Sequence, residues 1–408
     1  MEGARTRGQA TALAAAATMI RGAVPQAVLL VGPEGVGKTT LALDIAAGLL
    51  CTAALDARPC RSCRACRLVE HGTHPDLHRL GPAGPGRQVV IGGPDARYRG
   101  VKDLIGELLL MPVEGGARVA IIESADRMNE DAQSALLKTL EEPPAGVTIL
   151  LCADQEARLL PTVRSRCFRL RLGLVGARDI EAILADHGLA DPPTAARLGR
   201  LAGGRPGLAL AYARAPAAVL IRAELTRVVL DLTDARPSAR LAAARAAVPR
   251  AIALAGVLSA GDPVTAPARP TRRRGSAAAA TMSATAPSPT PASLGGTPDD
   301  DPDASTDEET GPARIPAVER RRGVEILLGL WADVARDLAL VGSGGARSVH
   351  DTVLLDELTA ISAAIPPGSA GAFLARAARS AELLAGNVSP ELVLDALVLS
   401  WPSRSAAA

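Results

Sequence analysis

Residues 27–40 read AVLLVGPEGVGKTT, and this stretch decides how the chain folds. Residues 27–32 form a short apolar run closed by glycine, the pattern of a strand buried on both faces of a parallel sheet. Gly32-Pro-Glu-Gly-Val-Gly37-Lys38-Thr39 then matches G-x-x-x-x-G-K-[ST] in full, and LALDIAAGLL follows with helical spacing. Glycine at 32, 35 and 37 lets successive backbone N–H groups turn inward around a phosphate with no Cβ in the way. The start of the following helix adds its partial positive charge. Lys38 is the candidate to reach the β- and γ-phosphates, and Thr39, followed by Thr40, the candidate to meet Mg²⁺. A glycine-rich turn without function is the plainer alternative. The pattern predicts an α/β domain that binds ATP or ADP with Mg²⁺.

Two further apolar runs, RVAIIES and GVTILLCAD, read as strands, with the helical NEDAQSALLKTLEE between them. Alternating strands and helices imply a parallel sheet covered on both faces. At the tip of RVAIIESADRM, residues 118–128, P-loop ATPases carry two adjacent carboxylates, whereas this chain has Glu123 and Ser124. Glu123 would partly replace the Mg²⁺-binding aspartate, with its extra methylene shifting the carboxylate. Ser124 cannot polarise a water comparably, and the direction of Asp126 is left open. Losing general-base help costs about 10²–10⁴ in rate. A binder with doubtful hydrolysis is the expectation.

The chain has 408 residues, which suggests two or three domains, and a formal net charge of +2, which names no partner. Its basic residues are almost all arginine, the three lysines being Lys38, Lys102 and Lys138. Six aromatic residues in the whole chain argue against base stacking as a binding mode. There is no uncharged apolar run of membrane-spanning length, so no membrane partner is expected and a cytoplasmic location is. The N-terminal MEGARTRGQATALAAAATMIRGAV faintly imitates a signal peptide, but reads better as an amphipathic helix before the P-loop.

Cys51, Cys60, Cys63 and Cys66 are spaced C-x8-C-x2-C-x2-C. Four thiolates at such spacing make a closed tetrahedral zinc site of structural role. The three tight cysteines also imitate a ferredoxin run, whose fourth cysteine and proline are absent here, and free thiols are a third possibility. His71, His74 and His78 are near enough to substitute for a ligand, although ordinary loop placement explains them.

The expected domains are a P-loop domain over 1–173 with a zinc-binding insert at 51–66, and a small helical lid over 174–252. A Pro/Ser/Thr/Ala-rich and acidic insert, expected to be disordered, follows over 253–318. A C-terminal all-helical collar over 319–402 and a tail over 403–408 complete the chain.

After GVTILLCAD comes LLPTVRSRCFRL, in which Arg166 alone would read as one more surface charge of an arginine-rich chain. Its company alters that reading. GPEGVGKTTLA, the four cysteines, GTHPDLHRL, ADRMNEDAQSALLKTLEEPP and LLPTVRSRC occur in this order. Together they resemble the clamp-loader branch of the AAA+ ATPases, and within it the delta-prime family of bacterial DNA polymerase III, of an actinobacterial type. The resemblance is strong over residues 10–210 and weak in the last helical region.

It implies a five-subunit ring with gamma/tau and delta subunits that places a sliding clamp on primed DNA. It also implies that Arg166 acts in trans as an arginine finger at a neighbour's nucleotide, that the four cysteines hold Zn²⁺, and that the C-terminal helices form the ring's collar. The chain would then be a non-catalytic or weakly hydrolysing subunit of a DNA-directed DNA polymerase holoenzyme. Arg205 lies near where AAA+ proteins carry a second nucleotide sensor, an assignment that an ordinary helix break at AGGRPG rivals. Two other readings stand beside this one. A catalytic gamma/tau-type subunit would keep Asp-Glu at 123 and 124, and a P-loop nucleotide kinase would leave LEEPP and Ser-Arg-Cys unexplained.

Overall fold

The computed structural model describes residues 1, 3–22, 24–83, 87–93, 96–114, 116–260, 315–386 and 388–404. Five strands, β1 (Ala27–Val31), β2 (Leu77–Leu80), β3 (Arg118–Ile122), β4 (Val147–Ala153) and β5 (Phe168–Arg171), make one sheet ordered β2-β3-β4-β1-β5. Every pairing is parallel. The central strands β1, β3 and β4 are those expected from their apolar runs. The edge strands LHRL and FRLR were not anticipated, because short segments carrying histidine and arginine give no strand signal, and charge is what edges tolerate.

Alternation along each central strand divides the core in two. Val28, Leu30, Val119, Ile121, Leu150 and Cys152 face one layer, where α1 (Ala10–Arg21), α2 (Lys38–Leu50) and α3 (Arg64–Glu70) supply Ala16, Ile45 and Val69. Leu29, Ala120, Ile122, Ile149 and Leu151 face the other, against α4 (Val101–Leu108) and α5 (Glu130–Glu141) through Leu104 and Leu136. A short α6 (Pro161–Arg164) precedes β5.

One buried carboxylate ties the start of the chain to this domain. Asp44 on α2, 1% exposed, accepts the Arg5 and Thr6 backbone N–H groups at 3.1 and 2.9 Å and the Thr6 hydroxyl at 2.7 Å. It also pairs with Arg61 from the cysteine insert. Asp44→Ala strands these donors, and is expected to destabilise the protein by about 2–4 kcal/mol. The midpoint and slope of urea unfolding measure this; an unchanged midpoint would refute it.

The remaining helices are α7 (Ala177–Asp186), α8 (Pro192–Leu201), α9 (Pro206–Arg214), α10 (Pro216–Asp231), α11 (Pro237–Ala260), α12 (Ala317–Gly342), α13 (Leu355–Ala364), α14 (Ser369–Ala385) and α15 (Pro390–Leu399). The expected lid and collar are not separated in their packing: one apolar core runs from Ile180 and Leu198 through Leu225 and Leu254 to Trp331, Phe373 and Leu397. Phe373 and Trp401 meet edge to face, with ring centroids 4.8 Å apart. Buried Arg222 of α10 joins the two sets, pairing with Asp351 at 3.6 Å and Asp333 of α12 at 4.0 Å.

The expected boundary at 253 needs correcting. Ala251, Leu254 and Ala255 are buried at helical spacing, so α11 continues to Ala260, and Ala317 and Val318 already belong to α12. The rest of the expected insert, 261–314, and residues 405–408 of the tail lie outside the described residues. Among the described residues one helix, over Pro237–Ser259, has the length and apolarity of a membrane span. It buries Ala244, Ala247, Ala251 and Leu254 in the shared core, and its Arg240 donates to the Trp401 carbonyl at 2.7 Å.

Candidate functional site

The cradle forms where β1 gives way to α2. Gly37, at the N-terminus of α2, has φ +101° and Gly35 has φ +80°, both in the left-handed region that glycine enters without strain. At Gly32 space is the constraint, since a Cβ would lie 2.3 Å from the Leu172 carbonyl oxygen. Lys38 is 8% exposed, and its ammonium donates to the carbonyls of Gly32 at 2.7 Å and Pro33 at 2.8 Å. Its third partner is Asp154 Oδ1 at 2.6 Å. Thr39 and Thr40 are half-buried at the first turn of α2, with Thr39 against the Cys152 thiol. Burial, with Glu123 next in effect, pushes that thiol up to about 12.

Strand order explains Asp154. β4 lies beside β1 with Ala153 opposite Val31, so the residue after β4 emerges next to the cradle. LLCAD carried that signal, but only a known sheet order could have used it. Arg79 was missed for the same reason. It emerges from β2 beside β3 and holds Glu123, donating from Nε to Oε1 at 2.9 Å. Glu123 is therefore committed to Arg79, whereas Lys38 pairs with Asp154. Ser124 takes φ +52°, and the turn it opens buries Asp126, whose Oδ1 accepts the Asp154 N–H at 3.2 Å. Burial, then the Asp154 charge, raises the Asp126 carboxyl above its ordinary range.

Arg166 is exposed between α6 and β5. Its guanidinium donates to the Thr162 carbonyl at 3.0 Å and pairs with Glu141 at 2.6 Å, so its partners are not those of the cradle. Arg205 pairs with Asp333 at 3.4 Å, at the start of α9. The adjoining Gly207 N–H donates to the Gly35 carbonyl at 2.8 Å, fastening α9 to the loop. A cleft of about 830 Å³ opens there, lined among others by Glu34, Gly35, Arg127, Arg205, Tyr212 and Asp333.

The four cysteines converge. Their Sγ atoms all lie within 4.8 Å of one another, and Cys51 is 3.6 Å from Cys60 and 3.9 Å from Cys63. A tetrahedron with Zn–S bonds of about 2.3 Å has edges of about 3.8 Å, so the donor set fits Zn²⁺. Hydrogen bonds from the Ser62 hydroxyl and the Cys63 N–H lower Cys60 to about 5, whereas burial pushes Cys66 up to about 12. His74 and His78 are engaged elsewhere, near Glu114 at 3.5 Å and with Glu107 at 2.7 Å.

The family described as "DNA polymerase III, delta subunit" matches residues 9–175, from α1 through β5. The delta-prime subunit of DNA polymerase III from Pseudomonas aeruginosa is 41% identical over 182 residues, covering 44% of this chain and 53% of its own length. Residues 9–175 are thus similar to the delta-prime subunits of DNA polymerase III. The delta-prime subunit of Haemophilus influenzae is 36% identical over 152 residues, 37% of this chain and 44% of that one. The tau subunit of Salmonella typhimurium is 33% identical over 181 residues, 43% of this chain and 27% of that one. The chain thus spans about half, or less, of the length of these relatives.

Among solved structures, a gamma-subunit-related protein of DNA polymerase III from Thermotoga maritima covers 95% of this chain and 97% of its own, at 13% identity and a TM-score of 0.33. The RuvB Holliday junction branch migration motor of the same organism covers 52% and 63%, at 19% identity and a TM-score of 0.35. The family match ends at 175, so the helices beyond it are described by their own packing alone.

Proposed function

We propose that this chain is the delta-prime subunit of a DNA polymerase III clamp loader, a stator that binds ATP or ADP and lends Arg166 to a neighbouring ATPase. One observation carries the reading: the cradle is complete around Lys38, while Glu123, the carboxylate of β3, is engaged by Arg79 with Ser124 behind it. Holding phosphate and activating water are thereby uncoupled. Gly32, Gly35 and Gly37 would offer backbone N–H groups, Lys38 its ammonium, and Thr39 and Thr40 their hydroxyls. Bound Mg²⁺ would supply neutralisation of phosphate charge. Cys51, Cys60, Cys63 and Cys66 would hold Zn²⁺ as a cross-link with no open position, stabilising the layer over α2 and α3.

In this reading residues 177–260 serve as lid, and 317–401 as the collar that joins gamma/tau and delta in a five-membered ring in the cytoplasm. The ring would open a sliding clamp and set it on primed DNA, touching phosphates without reading sequence. The test is turnover by the purified chain alone and after mixing with gamma/tau and delta subunits. Co-elution with those subunits and negligible hydrolysis by the isolated chain are expected. Brisk turnover without partners would instead support a catalytic gamma/tau-type subunit, a reading to which the 33% identity with tau gives weight.

A further inference from the structure

We infer that Asp154 sets which nucleotide the cradle accepts, favouring a diphosphate over a triphosphate. This rests on the reading of residues 32–40 as a phosphate cradle, and deepens it. An ammonium has three N–H donors, and those of Lys38 are taken by the Gly32 carbonyl at 2.7 Å, the Pro33 carbonyl at 2.8 Å and Asp154 at 2.6 Å. An incoming phosphate must displace one of them. The two carbonyls belong to the loop itself, so the contact left to exchange is the carboxylate, which is 26% exposed.

Asp154 is well placed to resist. Its backbone N–H is fixed by Asp126 Oδ1 at 3.2 Å, and β4 holds it in register beside β1. In a P-loop the lysine spans the β- and γ-phosphates. A diphosphate brings only its β-phosphate to the ammonium, taking one donor from Asp154 without setting a terminal charge beside the carboxylate. A triphosphate brings its terminal charge onto the same ammonium, against Asp154 and, behind it, Asp126. Like charges a few ångströms apart at a partly exposed site, discounted for solvent screening, are worth about a tenfold difference in affinity. Asp154 thus acts on selectivity through Lys38, as a positioning residue.

The experiment is titration calorimetry of the full chain with ADP and with a non-hydrolysable ATP analogue, both with Mg²⁺. Wild type, Asp154→Asn, Asp154→Ser and Lys38→Ala are compared, each first shown to melt cooperatively. The wild type is expected to bind ADP about tenfold more tightly than the analogue. Both Asp154 variants should bring the two affinities within about twofold, chiefly by strengthening the analogue, and Lys38→Ala should lose both ligands. A merely structural role for Asp154 would weaken both ligands alike and leave their ratio unchanged. The inference is overturned if the wild type binds the two equally, or if the variants keep its ratio. If no folded variant, nor the wild type, binds either nucleotide, the cradle reading itself falls, and this inference with it.

Discussion

Replacing Arg166 by alanine is expected to lower ATP turnover of the reconstituted complex by about 10³–10⁵-fold, the range over which an arginine finger acts. The loss should appear in the neighbour's hydrolysis and leave nucleotide binding by this chain unchanged. The guanidinium is exposed and held by Glu141 at 2.6 Å and the Thr162 carbonyl at 3.0 Å, contacts that an acceptor of higher charge can replace. An ion pair so exposed contributes under about 1 kcal/mol, so the variant should melt within a few degrees of the wild type, which separates lost chemistry from lost folding. Arg166→Lys should recover little, because an ammonium lacks the planar pair of donors that spans two phosphate oxygens. Steady-state hydrolysis in the assembled complex is the measurement. Turnover within twofold of the wild type would dismiss the assignment.

The second large effect concerns the cysteines. Metal analysis by mass spectrometry should find one zinc per chain, and Cys66→Ser or Cys51→Ser should abolish it. Structural zinc is worth about 10–16 kcal/mol in peptides that fold only around it. Here the ion would sit against an independently packed sheet, so a smaller loss is expected, large enough still to drop the unfolding midpoint sharply. Cys51 is 3% exposed and Cys66 fully buried, both within the layer that holds Ile45 and Val69. Serine at 66 would place a hydroxyl there in addition to removing a ligand. Cys167→Ser is the control, since that thiol donates to the Val163 carbonyl at 3.2 Å and is outside the cluster. Full stability with no bound metal would defeat the zinc reading, and iron in place of zinc would favour the ferredoxin-like alternative.

What the sequence made legible followed from local chemistry. The glycines, Lys38 and the helix after them are read from consecutive residues, and the four cysteines from a spacing that brings thiols together whatever surrounds them. β1, β3 and β4 were legible because strands buried on both faces must be apolar throughout. Asp154 and Arg79 were not, because their meaning depends on which strand lies beside which, and the order β2-β3-β4-β1-β5 is a fact of tertiary packing. The end of α11 was hidden for another reason. Alanine-rich helix and alanine-rich insert look alike in composition, and only the burial of Ala251, Leu254 and Ala255 tells them apart.

The bond from the Gly207 N–H to the Gly35 carbonyl makes the phosphate loop and the first turn of α9 a single mechanical piece. Arg205, two residues earlier, is linked in turn to Asp333 in the middle of α12. Any shift of the Gly35 peptide that accompanies ligand entry must either sever that link or tilt α9, carrying the motion some way down the long helix. On the proposed reading, a nucleotide that moved this peptide would be felt first at α9 and then, through Arg205, at Asp333.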